Sequence, residues 1–265
     1  MSPVSSPGVF LSIIIPAHNE ERHIGATIDA LRHAAKEASQ ALAERPASDD
    51  PPFVLEHEII VALDACTDAT ETIARAHGCV TTSHDRRQIS ATRNLGARIA
   101  RGDTLLFVDA DTIVLPAALL QAIDAIRRGC VGGGAPVKFD GRVPLYAELC
   151  LAILTASFRA SRLTGGACFF CTRGAFEAVG GWDESLFASE EIKLARALHS
   201  LGEFHIIRHP VVTSGRKLRT HTAAEIVSLL LRGIRSRLFD DNNMLKSREG
   251  LDLWYAPRRD DPHTP

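Results

Sequence analysis

Asp109 and Asp111 stand one residue apart at the end of the apolar run Thr104-Leu-Leu-Phe-Val. On an extended strand residues i and i+2 share a face, so the two carboxylates reach one cation if the strand stays extended to its end. Such a pair at the mouth of a buried strand is costly unless positive charge sits with it. A hard dication, Mg2+ or Mn2+, carrying a diphosphate meets that need, because hard cations take oxygen ligands. The plain alternative gives one Asp a capping duty and leaves the other in water. Further polar groups follow other apolar runs. Ala17-His18-Asn19-Glu20 comes after a β-branched run closed by Pro16, and Asp64 ends the run Glu58-Ile-Ile-Val-Ala-Leu63. Asp68 and Glu71 have the spacing of a capping box for a helix through His77, which suffices to explain Asp68. Later come Ser189-Glu190-Glu191, opening a helix, and the basic loop Ser214-Gly-Arg216-Lys217-Leu-Arg219.

The elements that must position these groups are legible from periodicity. Residues 11–15, 58–63, 80–82 and 104–108 predict strands. Helices are predicted from Ile24, Ile28, Leu31, Ala35, Ala38 and Leu42, with Glu20 and Glu21 at the positive end, and over 68–77. Two more are predicted over 88–100, with Ile89, Thr92, Leu95 and Ile99 inward, and from Pro116, with Leu119, Leu120, Ile123 and Ile126 inward. Strand–helix repeated four times is an open parallel α/β sheet, which takes ligands at the carboxyl ends of its strands. Pro16 to Glu20, Asp64 and Asp109 to Asp111 all fall on that edge. No Gly-x-Gly-x-x-Gly follows the first strand, which argues against an ordinary dinucleotide site, and the Walker phosphate loop is absent. Beyond residue 130 the pattern predicts a glycine-kinked strand over 131–138, a helix over 144–160 and a buried strand over 167–172. It then predicts short helices over 173–179 and 189–198, a strand within 203–212, and an amphipathic helix over 222–238.

Among the 265 residues, 45% are apolar and 23% charged, with 30 basic against 32 acidic side chains, a net charge of -2. That balance argues against a nucleic-acid partner, and 6% aromatics argue against stacking platforms. No apolar run reaches the ~18–20 residues of a membrane span. The segment 145–156 is interrupted by Glu148 and 226–231 is short, so membrane contact is expected to be peripheral at most. The first residues lack the basic-then-apolar order of a signal peptide, and a reducing cytoplasm is the expected location. Of the cysteines at 66, 79, 130, 150, 168 and 171, the pair Cys168 and Cys171 has the spacing of half a zinc site. On a buried strand, i and i+3 face opposite sides, which makes them core.

Taken in order, these stretches resemble glycosyltransferase family 2. The resemblance is carried by Ile13-Ile-Ile-Pro16-Ala-His-Asn19-Glu20, by Val61-Ala-Leu-Asp64-Ala-Cys-Thr67-Asp68-Ala-Thr70, and by Ala91-Thr-Arg93-Asn94-Leu-Gly96. It continues through Phe107-Val-Asp109-Ala110-Asp111, Gly165-Gly166, Gly180-Gly-Trp182-Asp183 and Glu190-Glu191 with Leu194 and Arg196, covering roughly residues 10 to 215. It implies a GT-A fold: an open, mostly parallel sheet flanked by helices, with a smaller acceptor-side half. The expected division is a flexible 1–9, one domain over 10–240 and a polar tail over 241–265. Within the domain, 10–115 is the nucleotide-binding half and 116–240 the acceptor-binding half.

The resemblance further implies transfer of a sugar from a nucleoside diphosphate sugar to a sugar, lipid-linked or small-molecule acceptor, with Mn2+ or Mg2+ as cofactor. Pro16, Ala17, Asn19 and Glu20 would lie around the nucleoside, Asp64 at the base or ribose, and Arg93 near the nucleotide. Asp109, Ala110 and Asp111 would meet ribose and metal, with Asp111 the main metal ligand, and Arg216 would close on the diphosphate. Glu191 matches the catalytic base, beside Glu190, and implies an inverting displacement. Three departures stand out: Leu63 where an Asp is common, Glu191 in place of an Asp, and no His in Thr213-Ser214-Gly215-Arg216, for which His209 and His221 are candidate substitutes. They leave open a non-catalytic or degenerate nucleotide-sugar-binding subunit. A nucleotidyltransferase would need a glycine-rich basic loop, and His18-Asn19-Glu20 offers neither Gly nor Lys.

Overall fold

The computed structural model describes residues 8–45, 54–141, 163–220 and 246–249, with positions 144, 148, 161, 225, 251 and 255. Strands β1 (Gly8–Ala17), β2 (Val54–Asp64), β3 (Val80–His84) and β4 (Thr104–Val108) alternate with helices α1 (Ile24–Ala43), α2 (Thr70–Ala76) and α3 (Ile89–Ile99). Then follow β5 (Thr112–Ile113), α4 (Pro116–Arg127), β6 (Gly132–Gly134), β7 (Val137–Phe139), β8 (Cys168–Thr172), α5 (Arg173–Ala178) and α6 (Glu190–His199). The chain continues through β9 (Phe204–Ile206), β10 (Val211–Thr213) and α7 (Arg216–Thr220).

Seven strands form one sheet in the order β3-β2-β1-β4-β8-β6-β9. β3, β2, β1 and β4 run parallel, β8 runs antiparallel to both β4 and β6, and β9 is parallel to β6. The expected mostly parallel α/β sheet is therefore present. Its strands are continuous apolar runs because helices cover both faces. Ile13, Ile15, Leu106, Val108, Cys168 and Phe170 enter one core cluster, whereas Ile14, Leu105, Phe107, Phe169 and Cys171 enter the other. Cys168 and Cys171 thus face opposite sides, as the strand reading requires. In the second cluster Phe107 and Phe169 both meet the edge of Trp182 at 5.1 Å between ring centroids.

Chain order reverses between β1 and β4, so the crevice outside their carboxyl ends is the topological switch point, where sheets of this kind take ligands. A second sheet, β5-β10-β7, stands beside it. The glycine-rich stretch 131–138 is not one strand: β6 stays in the large sheet, and Ala135-Pro136 turns the chain so that β7 joins the small one. Residues 203–212 split the same way, into β9 and β10.

Two other expectations are corrected. Along α3 the buried residues are Ser90, Ala91, Thr92, Arg93, Gly96 and Ala97, while Ile99 is exposed. Small residues face the sheet because the helix lies close on it: a Cβ on Gly96 would stand 2.5 Å from Ile14 Cγ2. The predicted loop 214–219 contains α7. The helices predicted over 144–160 and 222–238, His221 and Trp254 lie outside the described residues, apart from the isolated positions 144, 148 and 225. Among the described residues no helix is long and apolar enough to cross a membrane.

Candidate active site

The loops that leave β1 and β2 are stitched together. Asn19, at φ 50° in the left-handed region that Asn tolerates, accepts from the Thr67 N–H at 2.8 Å and donates to Thr67 Oγ1 at 3.2 Å. The Glu20 N–H donates to Thr70 Oγ1 at 2.8 Å and the Glu21 N–H to Asp68 Oδ2 at 3.1 Å. α1 starts at Ile24, whose N–H bonds to the Glu20 carbonyl at 2.9 Å, so Glu20 and Glu21 directly precede its first turn. The capping box does not form. Asp68 accepts from the Thr70 N–H at 3.0 Å, two residues on, and Glu71 pairs with Arg75 at 2.8 Å instead of reaching back. Pro16 and Ala17 are the buried last residues of β1, set against Ala62 and Leu63.

Asp64 has a structural task. It accepts from the N–H groups of Arg87 at 2.6 Å and Gln88 at 2.7 Å and from Thr92 Oγ1 at 2.9 Å. These bonds fix the entry to α3, and both carboxylate oxygens are engaged inside the protein.

The chain does not stay extended through Asp109-Ala110-Asp111. β4 ends at Val108, and the Thr112 N–H bonds back to the Asp109 carbonyl at 3.0 Å, making a turn. Asp109 pairs with Arg93 at 3.0 Å, and Asp111 stands 3.9 Å from Arg216. Buried Ala110 is held by Thr27 of α1, whose hydroxyl donates to the Ala110 carbonyl at 2.8 Å.

Arg93 is the centre of the first group. Its side chain is 3% exposed, and it reaches Glu190 Oε1 at 2.9 Å and Asp109 Oδ1 at 3.0 Å. It also donates to the Gly166 carbonyl at 3.0 Å and lies over the Trp182 ring at 4.5 Å. Gly166 is required here, since a Cβ would stand 2.8 Å from Arg93 Nη2. Glu191 is the second residue of α6 beside this cluster, the helix opening after Ser189 at φ 63°. Burial, then the neighbouring Glu190, push the Glu191 carboxyl up to about 8, against a smaller opposite pull from Arg93. Burial also raises Asp109, with Arg93 opposing and Asp111 reinforcing the rise.

The second group forms around Asp111. β10 brings Thr213 and Ser214 to it: Thr213 Oγ1 donates to Asp111 Oδ1 at 3.3 Å, and the Ser214 N–H donates to the Asp111 carbonyl at 3.1 Å. Arg216 Nη2 then stands 3.9 Å from Asp111 Oδ2 and 3.7 Å from Glu20 Oε1. It is not a solvated side chain, being 12% exposed. Asp140 fixes this turn by accepting from the Gly215 N–H at 2.7 Å and from Arg219 Nη1 at 3.0 Å. His209 is exposed, with its N–H on Gln121 at 3.2 Å.

Asp109, Ala110, Asp111, Arg93, Glu190, Glu20 and Arg216 therefore meet at the switch point, with Glu191 beside them. Asn19 and Asp64 serve the loops that frame it. Thr27, Thr213 and Asp140 were missed by the sequence reading. A threonine on a helix and a lone late Asp carry no local signal, and only the topology brings them here. The donor set suits a hard dication: the wide Arg216–Asp111 separation leaves Asp111 able to turn, and the Asp111 charge already weighs on Asp109.

A dolichyl-phosphate beta-glucosyltransferase of Drosophila melanogaster is 32% identical over 114 residues, 40% of this chain and 32% of that one. The chain thus spans about a third of the length of that relative. Solved structures share the fold: S. aureus TarS 1-349 at TM-score 0.57 and 16% identity, covering 78% of this chain and 61% of that one. The Pyrobaculum calidifontis mannosyltransferase PcManGT, in complex with GDP-Man and Mn2+, follows at 0.55 and 16%, covering 84% and 61%. The Mycobacterium tuberculosis glucosyl-3-phosphoglycerate synthase, with Mn2+ and UDP, stands at 0.52 and 19%, covering 83% and 75%. The fold is GT-A. With the family profile matching residues 12–176, well over half of its length, the chain belongs to glycosyl transferase family 2.

Proposed function

We propose that this protein transfers a sugar from a nucleoside diphosphate donor to an acceptor hydroxyl by direct, inverting displacement with Glu191 as base. The observation that carries the reading is the Arg93 bridge. By pairing with Glu190 and Asp109 at 2.9 and 3.0 Å, one buried guanidinium holds the start of α6 against the end of β4. Glu191 is thereby set beside the Asp109–Asp111 turn, where a carboxylate can face the leaving group.

Asp111, with Asp109, would hold Mn2+ or Mg2+. When bound, that ion neutralises charge developing on the departing diphosphate. Arg216 would turn from Asp111 toward the same oxygens, with Lys217 next to it, supplying charge-assisted donors. The loops framed by Pro16, Ala17, Asn19, Glu20 and Asp64 would receive the nucleoside. Glu191 would accept the acceptor's proton. Its raised affinity for a proton, near the working pH, suits a general base better than an ordinary surface carboxylate, and such a group contributes typically ~10²–10⁴-fold. The name of the fly relative favours a lipid-linked acceptor and glucose as the sugar.

The test is thermal melting of the full chain with UDP-, GDP- and dTDP-sugars, with and without Mn2+. A ligand at ~100 times its dissociation constant stabilises by about 2.7 kcal/mol. The expected result is a Mn2+-dependent rise for one donor that disappears in Asp111→Ala. A folded protein that responds to none of them would contradict the reading.

A further inference from the structure

A second group of metal-ligating side chains lies at the other end of the sheet. Cys130, Glu203 and His205 offer a thiol sulfur, a carboxylate oxygen and an imidazole nitrogen, all within 4.8 Å of one another. β6 and β9 run parallel to each other and to β4, so Cys130 and Glu203, which precede β6 and β9, mark the amino edge of the sheet. Gly132 is level with Leu105 through their shared partner Cys171. Cys130 thus lies about six residues below Asp109, roughly 20 Å along the strands at ~3.3 Å per residue. The cluster is independent of the proposed donor site.

Its backbone is fixed. The Cys130 N–H bonds to the Ala125 carbonyl at the end of α4 at 3.1 Å, and the Val131 N–H bonds to the Glu203 carbonyl at 2.9 Å. Glu203 immediately precedes edge strand β9 and His205 lies on it, with His205 Nδ1 standing 3.9 Å from Glu203 Oε1. Cys130 is 2% exposed, whereas the His205 and Glu203 side chains are 37% and 64% exposed. One ligand is thus anchored and the other two are free to adjust. Burial, then the Glu203 charge, hold the Cys130 thiol protonated, and Arg128 opposes them. Two groups that become anions side by side are relieved by a cation bound between them.

We propose that Cys130, Glu203 and His205 form a zinc-type divalent-cation site with an open fourth position, joining the α4–β6 turn to edge strand β9. Zinc takes this mixture of sulfur, nitrogen and oxygen ligands at about 2.0–2.3 Å, and Mg2+ does not take thiolate. Tetrahedral bonding at those lengths brings the ligand atoms to about 3.3–3.8 Å apart, a closure the two exposed side chains supply. Binding converts the Cys130 S–H to a metal-bound thiolate and releases that proton to solvent.

The test is a Co2+ titration of the full chain carrying Asp111→Ala, which disables the proposed donor site. The expected result is a thiolate-to-cobalt charge-transfer band saturating at one equivalent and displaced by Zn2+. It should be absent in Cys130→Ser, and Co2+ should bind at least tenfold more weakly in His205→Ala and Glu203→Gln. Both of the latter positions are solvent-accessible, so these variants keep the test valid if Cys130→Ser does not fold. A chain that gives no band, or a band whose midpoint is unmoved by His205→Ala, overturns the site.

Discussion

The Asp109–Asp111 turn separates two arginine–carboxylate groups that differ in how firmly they are held. Arg93 is almost fully buried, bonded to two carboxylates at 2.9 and 3.0 Å, and backed by Trp182 and Gly166. Arg216 faces its two carboxylates at 3.7 and 3.9 Å, from a five-residue helix pinned by Asp140. The first group is architecture, because Arg93 and Glu190 are both buried and their hydrogen bond fixes the start of α6 against the end of β4. The second is a loose pairing whose cation can be redirected to a ligand. The difference separates Arg93 and Glu190, which build the site, from Arg216 and Asp111, which would meet the donor, with Asp109 shared between the two.

The largest effect that would break this comparison is expected at Arg93. Arg93→Ala strands buried Glu190 without its partner, and loss of one partner of a buried pair typically costs about 3–5 kcal/mol. Urea denaturation should show that loss, and a variant as stable as the parent would end the distinction. Gly166→Ala should come next. Its methyl would press on the Arg93 guanidinium at 2.8 Å, and overpacking of that kind costs about 1–3 kcal/mol. The same denaturation curves measure it. Arg216→Ala should cost less stability than Arg93→Ala, because its contacts at 3.7 and 3.9 Å are too long for hydrogen bonds. Yet it should weaken donor binding by about tenfold or more, the worth of a charged hydrogen bond, read by calorimetric titration. Equal effects of Arg93→Ala and Arg216→Ala on stability would erase the contrast.

The smallest effect concerns protons. Glu191 holds its proton to about 8 in the folded chain, against an ordinary value of 4.5. The folded state therefore binds more protons across that window. The stability this group contributes is complete below the lower value and is lost as pH rises toward 8. Glu191→Gln should flatten that decline in the urea midpoint between pH 5 and pH 8. A parent whose midpoint does not fall over that range, or a variant that falls as steeply, would show that Glu191 is not held protonated.

The groups legible in the sequence are those whose position follows from local pattern. Asp109 and Asp111 announce themselves because carboxylates closing an apolar strand need an explanation, and the β1–α4 alternation places them on the sheet edge. Other features depend on contacts between distant segments. The inward face of α3 is set by Arg93 and Gly96, so a hydrophobic pattern that puts Ile99 inside selects the wrong side. Asp64 looks free at a strand tip until the loop before α3 wraps its N–H groups around it. Arg216 reads as a solvated loop residue until β10 pairs with β5 and carries it to Asp111. The turn at Asp109 defeats the strand alternation because its hydrogen bond to Thr112 bends the chain immediately after Val108.

The assignment of Glu191 as base is tested most directly by measuring donor binding and turnover together in Glu191→Gln. Once melting has identified the donor, its dissociation constant is read by calorimetry with Mn2+, and cleavage of the donor is followed in the same preparation. The expected result is donor affinity within about twofold of the parent and turnover lower by ~10²–10⁴-fold. Turnover that persists in Glu191→Gln, or a parent chain that binds the donor and never cleaves it, would contradict the account.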